Sequence, residues 1–264
     1  MERALRTAAS GMYAQQINID VIAHNLANVN TTSFKRSRAE FQDLMYQILK
    51  APVSSSTQNG NTEASSEIQI GTGVQTVATL RDFEQGDLQP TNNPLDVAIN
   101  GEGFFQVRRP DGTIAYTRDG SFKLSRDGRL VNSSGYVLEP EIIIPETAVA
   151  ISISRDGIVE ILNAGETEPV EVGRIELVKF VNPAGFRSIG NNLYVETQAS
   201  GQPIFGTPGS EGFGEIMQGY LEASNVDIVE EMVNMIIAQR AYEINSKTIK
   251  TVEEMLQMAN NLKR

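Results

Sequence analysis

Apolar positions return every seven residues at both ends of the chain and every second residue between them, so the hydrophobic period divides the sequence into helix, strand block and helix. In SNVDIVEEMVNMIIAQRAYEINSKTIKTVEEMLQMANNL, Ser224 to Leu262, one row comprises Ile228, Met235, Tyr242, Ile249 and Leu256. A second row, Ala238, Asn245, Val252 and Ala259, lies three residues further on, as positions a and d do in a coiled coil. Ser224 is expected to cap this helix. Asp227, Glu230 and Glu231 would then sit at the positive end of its dipole, and Lys263 and Arg264 at the negative end. At ~1.5 Å per residue the helix would be roughly 55 Å long, more than a compact domain needs to bury one helix, so it requires a partner along its length.

The N-terminal stretch ERALRTAASGMYAQQINIDVIAHNLANVN offers that partner. Leu5, Met12, Ile19 and Leu26 recur every seven residues, with Ala8, Gln15, Ile22 and Val29 in the adjacent row. Gly11 costs such a helix ~1 kcal/mol relative to Ala, so it is either tolerated or marks the close approach of a neighbouring backbone. Two amphipathic helices packed within one monomer would show much of the same pattern. Their terminal positions, and the polar Gln15 and Asn245 in the rows, favour a specific association whose register is fixed by polar residues. The candidate subunit-assembly residues are therefore Leu5, Met12, Ile19, Leu26, Ile228, Met235, Tyr242, Asn245, Ile249 and Leu256. Val229, Met232, Val233 and Ile236 add a further apolar row that one partner helix cannot cover, so the terminal helices are expected to be poorly ordered in an isolated chain.

Between the helices, Ala27 to Arg36 is rich in Asn, Thr and Ser, which favour caps and turns, and the first helix is expected to end there. Ala39 to Lys50 recovers some apolar spacing, and Ala51 to Glu67 then turns polar, the composition of a flexible arm unless a partner holds it. From Ile68 the pattern is that of strands, in IQIGTGVQTVATL, LDVAINGEGFFQV and later runs as far as NNLYVET. Asp-Gly pairs at Asp111, Asp119, Asp127 and Asp156 predict type I′ hairpin turns. A calcium loop is the alternative, but it needs carboxylates at alternating positions and a terminal Glu, which none of these stretches supplies. The fold class is α+β: long terminal helices pairing as a coiled coil, with an inserted β-rich antiparallel domain.

Composition narrows the function. The chain has 264 residues, 40% of them hydrophobic, enough for a substantial core. A net charge of -11 argues against nucleic acid, and the short basic cluster Lys35, Arg36 and Arg38 is expected to be a solvated loop. Without cysteine there are no disulfides or thiolate metal sites, and the compartment stays open. No apolar run is long enough to span a membrane, and the N-terminus lacks the pattern of a secretory signal. His24, the only histidine, gives no material for a triad or an imidazole metal site. The glycine runs at Gly101 and Gly212 do not match the spacing of a phosphate-binding loop. Paired carboxylates leave a secreted β-rich hydrolase as the alternative, although 6% aromatic residues and no tryptophan supply few sugar platforms. A structural, associating protein is the leading class.

The runs LRTAASGMYAQQINIDVIAHNLANVNTTSFKR, LDVAINGEGFFQV, YTRDGSFKLSRDGRLVNSSGYVLEP and QGYLEASNVDIVEEMVNMIIAQRAYEINSKTIKTVEEMLQ together resemble the axial rod and hook proteins of the bacterial flagellum, over nearly the whole chain. The resemblance implies paired terminal helices, here 1–30 and 221–264, a linking region with an extended polar arm, 31–75, and a β-rich outer domain, 76–220. It implies a tubular homo-polymer in the periplasm that transmits torque and forms part of the export channel. Other rod proteins, hook protein and surrounding ring proteins would be its partners, with no membrane insertion. It also implies export without a cleaved signal peptide, and neither catalysis nor any cofactor. QRAYE, SNVDIVEEMV and the arm after Tyr46 look like the distal part of the rod, with a proximal rod or hook protein as the alternatives. His24 stands where the family more often has Asn, and Ser33 where a Gly is common; Ser33 matters only if that position requires positive φ. The arm from Tyr46 to Thr72 is expected to be ordered in the polymer and to bridge subunits, anchored by Pro52, Ile68 and Ile70.

Overall fold

A computed structural model describes residues 2–50, 68–165 and 168–262. The chain forms two compact units, one of Met1–Leu26, Ser37–Leu80 and Ile228–Arg264, the other of Ala27–Arg36 and Arg81–Asp227. The stretch assigned to a linking region, 31–75, is thus shared between the units. Ser33, Phe34 and Lys35 are buried in the β-rich unit, while the strands that follow pair within the helical one.

The helical unit consists of α1 (Glu2–Ala27), β1 (Ser37–Asp43), β2 (Tyr46–Lys50), β3 (Ile68–Gly71), β4 (Val74–Arg81) and α2 (Ile228–Asn261). α2 begins later than its expected cap: Ser224 Oγ instead accepts from Val226 N at 3.3 Å and closes a turn ahead of the helix. The two helices run antiparallel. Gly11 lies against Asn245, and Asn25 Nδ2 reaches Glu231 Oε2 at 3.4 Å, so positions ascending on α1 meet positions descending on α2. A Cβ on Gly11 would stand 3.0 Å from Asn245 Nδ2, so the group that needs the space is a side-chain amide, not a backbone. β1 pairs with β4, and β2 with β3 as an antiparallel ribbon whose register runs from Tyr46 opposite Gly71 to Lys50 opposite Ile68. The two ends of the expected arm are therefore a paired ribbon, whereas Pro52 and the rest of 51–67 lie outside the described residues.

The β-rich unit opens and closes on itself. Its early strands Leu88–Pro90 and Val97–Asn100 pair with its last strands, Tyr220–Glu222 and Glu215–Gln218, which returns the chain to the start of α2. Between them lies a seven-stranded antiparallel sheet in the order 187–190, 193–195, 114–117, 105–108, 137–139, 130–131, 123–124. A three-stranded sheet of Ala148–Ile153, Ile158–Asn163 and Val170–Arg174 packs with it, and Val97, Ile99, Phe105, Phe122, Leu138, Val159 and Ile175 share one core. A second cluster gathers Phe104, Tyr116, Phe180 and Tyr194 with Phe83 and Phe186, mostly edge to face, the arrangement the ring quadrupoles prefer.

The Asp-Gly turns differ from the type I′ expectation. Gly112, Gly128 and Gly157 have positive φ, but Asp111, Asp127 and Asp156 do not, and Gly120 does not either. Gly112 N donates to Arg109 O and Arg109 N to Thr113 O, and the pattern repeats around Gly128 and Gly157: a type I turn ending in a left-handed glycine. Asp111 Oδ1 accepts from both Thr113 N and Thr113 Oγ1, which holds its carboxyl below the usual range and favours a right-handed Asp over a left-handed one. The hairpin with positive φ at both central residues is Asn191-Asn192, between 187–190 and 193–195.

Candidate assembly surfaces

The helical rows divide by size. The residues of α2 that are fully buried are Glu231, Ala238 and Val252, and those of α1 are Ala8, Ala14, Ile22 and Asn25. Larger side chains lie to the sides of these positions. Leu5, Met12, Ile19, Leu26, Met235, Asn245 and Ile249 are half-buried, and Ile228, Tyr242 and Leu256 are exposed. Small residues inside a helix pair let the backbones approach and leave bulkier neighbours at the flanks. Beyond them, α2 carries a further stripe of Val229 (71% exposed), Met232, Val233, Ile236 and Ile237 (61%), spaced by three and four residues along one side. Contiguous exposed apolar stripes of this kind are uncommon on monomeric proteins, which makes it a candidate interaction surface.

The β2–β3 ribbon is a second such surface. Tyr46, Ile48, Leu49, Ile68 and Ile70 are all exposed on it, and a ribbon of two strands is marginally stable in water without something to pack against.

Where the β-rich unit holds the segment after α1, the chemistry is polar and enclosed. Glu222, fully buried, accepts from Lys35 Nζ at 2.5 Å and from Gly86 N at 2.9 Å, and its second oxygen is 3.1 Å from Arg118 Nε. Arg118 also donates to Gly101 O, and Lys35 to Glu84 O. Burial pushes both cations below their ordinary pKa values, against the opposing pull of Glu222. The basic cluster read as a solvated loop is therefore split. Lys35 is enclosed, Arg36 is half-buried and pairs with Asp82 at 3.1 Å, and Arg38 is the exposed member. Ser33 has φ 55°, the conformation in which Gly would be free of strain; its N–H donates to Glu222 O and its Oγ to Arg118 O, bonds that offset the strain.

The sequence places Glu231 at the start of α2, as observed, but does not single out Asn25 or the inward position of Glu231. The signal was present: extending the row Val252, Asn245, Ala238 by one more step of seven lands on the charged Glu231, at a position the row marks as inward.

Comparison with known proteins gives these surfaces their context. Three family models match: one described as flagella basal body rod protein over residues 5–35, the flagellar hook protein FlgE/F/G D1 domain over 98–161, and the flagellar basal body rod FlgEFG protein C-terminal region over 217–262. The chain is 55% identical to the flagellar basal-body rod protein FlgG of Borreliella burgdorferi, with 100% of each chain aligned. It is 47% identical to FlgG of Caulobacter vibrioides, covering 99% of each, and 34% identical to FlgF of the same bacterium, covering 98% of this chain and 97% of that one. The chain belongs to the flagellar basal-body rod protein family, and it is a structural rod subunit, not an enzyme.

Proposed function

We propose that this subunit builds the distal rod, polymerising through its terminal helices into a straight tube that transmits torque from motor to hook and forms part of the export channel. The observation that carries the reading is the stripe Val229, Met232, Val233, Ile236 and Ile237, exposed on a helix whose inward positions are already filled by Ala238 and Val252. The flanking residues Leu5, Met12, Ile19, Leu26, Ile228, Met235, Tyr242, Asn245, Ile249 and Leu256 are the further assembly contacts, pairing the helices as a coiled coil. Other rod proteins and hook protein meet the ends of such a tube, ring proteins surround it in the periplasm, and the subunit reaches it by export without a cleaved signal peptide. The distal position is supported by the higher identity to FlgG than to FlgF of one bacterium.

The β2–β3 ribbon is the bridging element, its exposed Ile48, Ile68 and Ile70 packing between subunits and removing their freedom to slide. Purified full-length chain, concentrated and examined by sedimentation and electron microscopy, tests the reading. Tubes above a critical concentration support it; a monomer at every concentration contradicts it. Deleting residues 54–66 should leave tubes of lower bending stiffness, and unchanged stiffness would remove the bridging role.

A further inference from the structure

We infer that Asn25 and Glu231 are positioning residues that set the lengthwise register of α1 against α2, and so fix where along the helix pair a subunit's outward apolar rows fall. The inference rests on the proposed assembly through the terminal helices. Asn25, 1% exposed near the end of α1, has its whole amide engaged inside the helical unit. Its Oδ1 accepts from Ser37 N at 2.9 Å, and its Nδ2 donates to Ser37 O at 2.8 Å and to Glu231 Oε2 at 3.4 Å. Ser37 opens β1 and Glu231 lies in the first turn of α2, so one side chain ties together three elements. Glu231 is itself 5% exposed, at the end of the helix where the dipole favours a carboxylate.

The apolar rows alone do not fix this register. Ile228, Met235, Tyr242, Ile249 and Leu256 form a row with a period of seven, so moving α2 by one heptad sets one large apolar residue where another had been. The polar pair does not repeat. One heptad beyond Glu231 is Ala238, which offers Asn25 nothing, and one heptad before it is Ser224, which lies outside α2. The slipped pairing that places Ala238 at Asn25 also brings Val252 to Gly11, where Asn245 now fits. Gly11 to Asn25 and Asn245 to Glu231 are each two heptads, so the glycine contact and the polar knot are satisfied together in one register. A buried Asn in a helical seam has this physical effect: it weakens every alternative in which its partners are lost.

The chain has no cysteine, so a disulfide can report the register directly. Asn18 lies midway between Gly11 and Asn25, and Ala238 midway between Glu231 and Asn245. Asn18→Cys with Ala238→Cys reads the observed register, and Asn18→Cys with Asn245→Cys reads a slip of one heptad. Both pairs are oxidised in full-length chain, in sedimented filaments and in the supernatant. Without further change the first pair should cross-link in strong preference to the second. Asn25→Leu should lower that preference by about tenfold, the factor expected for the loss of a buried hydrogen-bonded contact, while Glu231→Gln, which keeps an acceptor oxygen for Asn25, should preserve it. An unchanged preference in Asn25→Leu overturns the inference, as does the loss of both cross-links, which would mean that Asn25 is needed for the helices to form at all. A lost preference in Glu231→Gln overturns it too. Should no filaments form, the assembly reading fails by itself, and the supernatant still reports the register.

Discussion

The two units of this chain enclose different kinds of side chain. In the β-rich unit the buried core contains Phe105, Phe122, Phe180, Ile99, Leu138, Ile175 and Leu177. In the helical unit the fully buried apolar side chains, among the described residues, are Ala8, Ala14, Ile22, Ala39, Ala238 and Val252, four of the six being alanine. Fully burying a Phe, Leu or Ile side chain is worth ~1.5–3 kcal/mol, whereas an alanine methyl contributes less than ~1 kcal/mol. Ordering each backbone residue costs ~1–2 kcal/mol in either unit. The β-rich unit therefore carries within itself the burial that offsets its ordering, and the helical unit leaves its large apolar groups, from Val229 to Ile237 and along the β2–β3 ribbon, exposed. In the proposed polymer this division would let one region fold before assembly and the other gain most of its burial during it.

The largest expected effects separate the units. Phe105→Ala should destabilise the β-rich unit by ~3–5 kcal/mol, measured by denaturant unfolding of the soluble chain. Ile236→Asp should leave that transition in place and abolish sedimentable filaments, because it puts a charge on the stripe that neighbours cover. Ile19→Asp and Ile249→Asp, in the half-buried flanks, should likewise stop assembly, since burying an unpaired charge costs several kcal/mol. Normal filaments from any of the three would show that the affected row is not an interface.

Next comes the polar junction of the β-rich unit. Glu222→Ala leaves Lys35 and Arg118 enclosed without their shared carboxylate and should cost ~3–5 kcal/mol. Lys35→Met leaves one cation on one carboxylate and should cost no more than about 1 kcal/mol. Equal losses in the two variants would mean that charge balance is not what Glu222 supplies.

A smaller effect follows from the lowered pKa of Lys35. Between that lowered value and the ordinary 10.5 the unfolded chain binds the proton more readily than the folded one, so this residue's unfavourable contribution is full at lower pH and shrinks as pH rises through the window. The stability of the parent relative to Lys35→Met should therefore increase with pH towards 10.5. A flat difference would place Lys35 in a better-solvated site. The smallest effect is at Ser33: Ser33→Gly relieves ~1 kcal/mol of left-handed strain and loses a buried hydrogen bond of ~1 kcal/mol, so the unfolding midpoint should hardly move.

Period was legible in the sequence and partners were not. Rows of seven located both helices, and alternation located the strand block, because burial on one face leaves a regular trace. The trace does not say which of two parallel rows faces inward. Residue size would have helped, since small Ala8 and Ala238 fit the inward positions and Gly11 leaves room for the Asn245 amide, while Met12 and Tyr242 fit better at the flanks. Three of the four Asp-Gly pairs close hairpins, at Asp111, Asp127 and Asp156, whereas Asp119-Gly120 joins strands that do not pair with each other; at Asp111 the bonds from Thr113 select a right-handed Asp, which depends on the residue after the glycine. Lys35 was misread for a different reason: a lysine in a polar run is ordinarily solvated, and its partner Glu222 is 187 positions away. No local pattern contains that pairing.

Hydrogen exchange on dilute soluble chain and on assembled filaments tests the division between the units most directly. Amides of Val97–Asn100 and Phe105–Arg108 should be slow in both samples, while those around Ile249 and in the β2–β3 ribbon should exchange quickly in the soluble chain and become protected in filaments. Protection around Ile249 in the dilute chain equal to that of the strands would contradict the division, and would mean that the helical unit is stable without its neighbours.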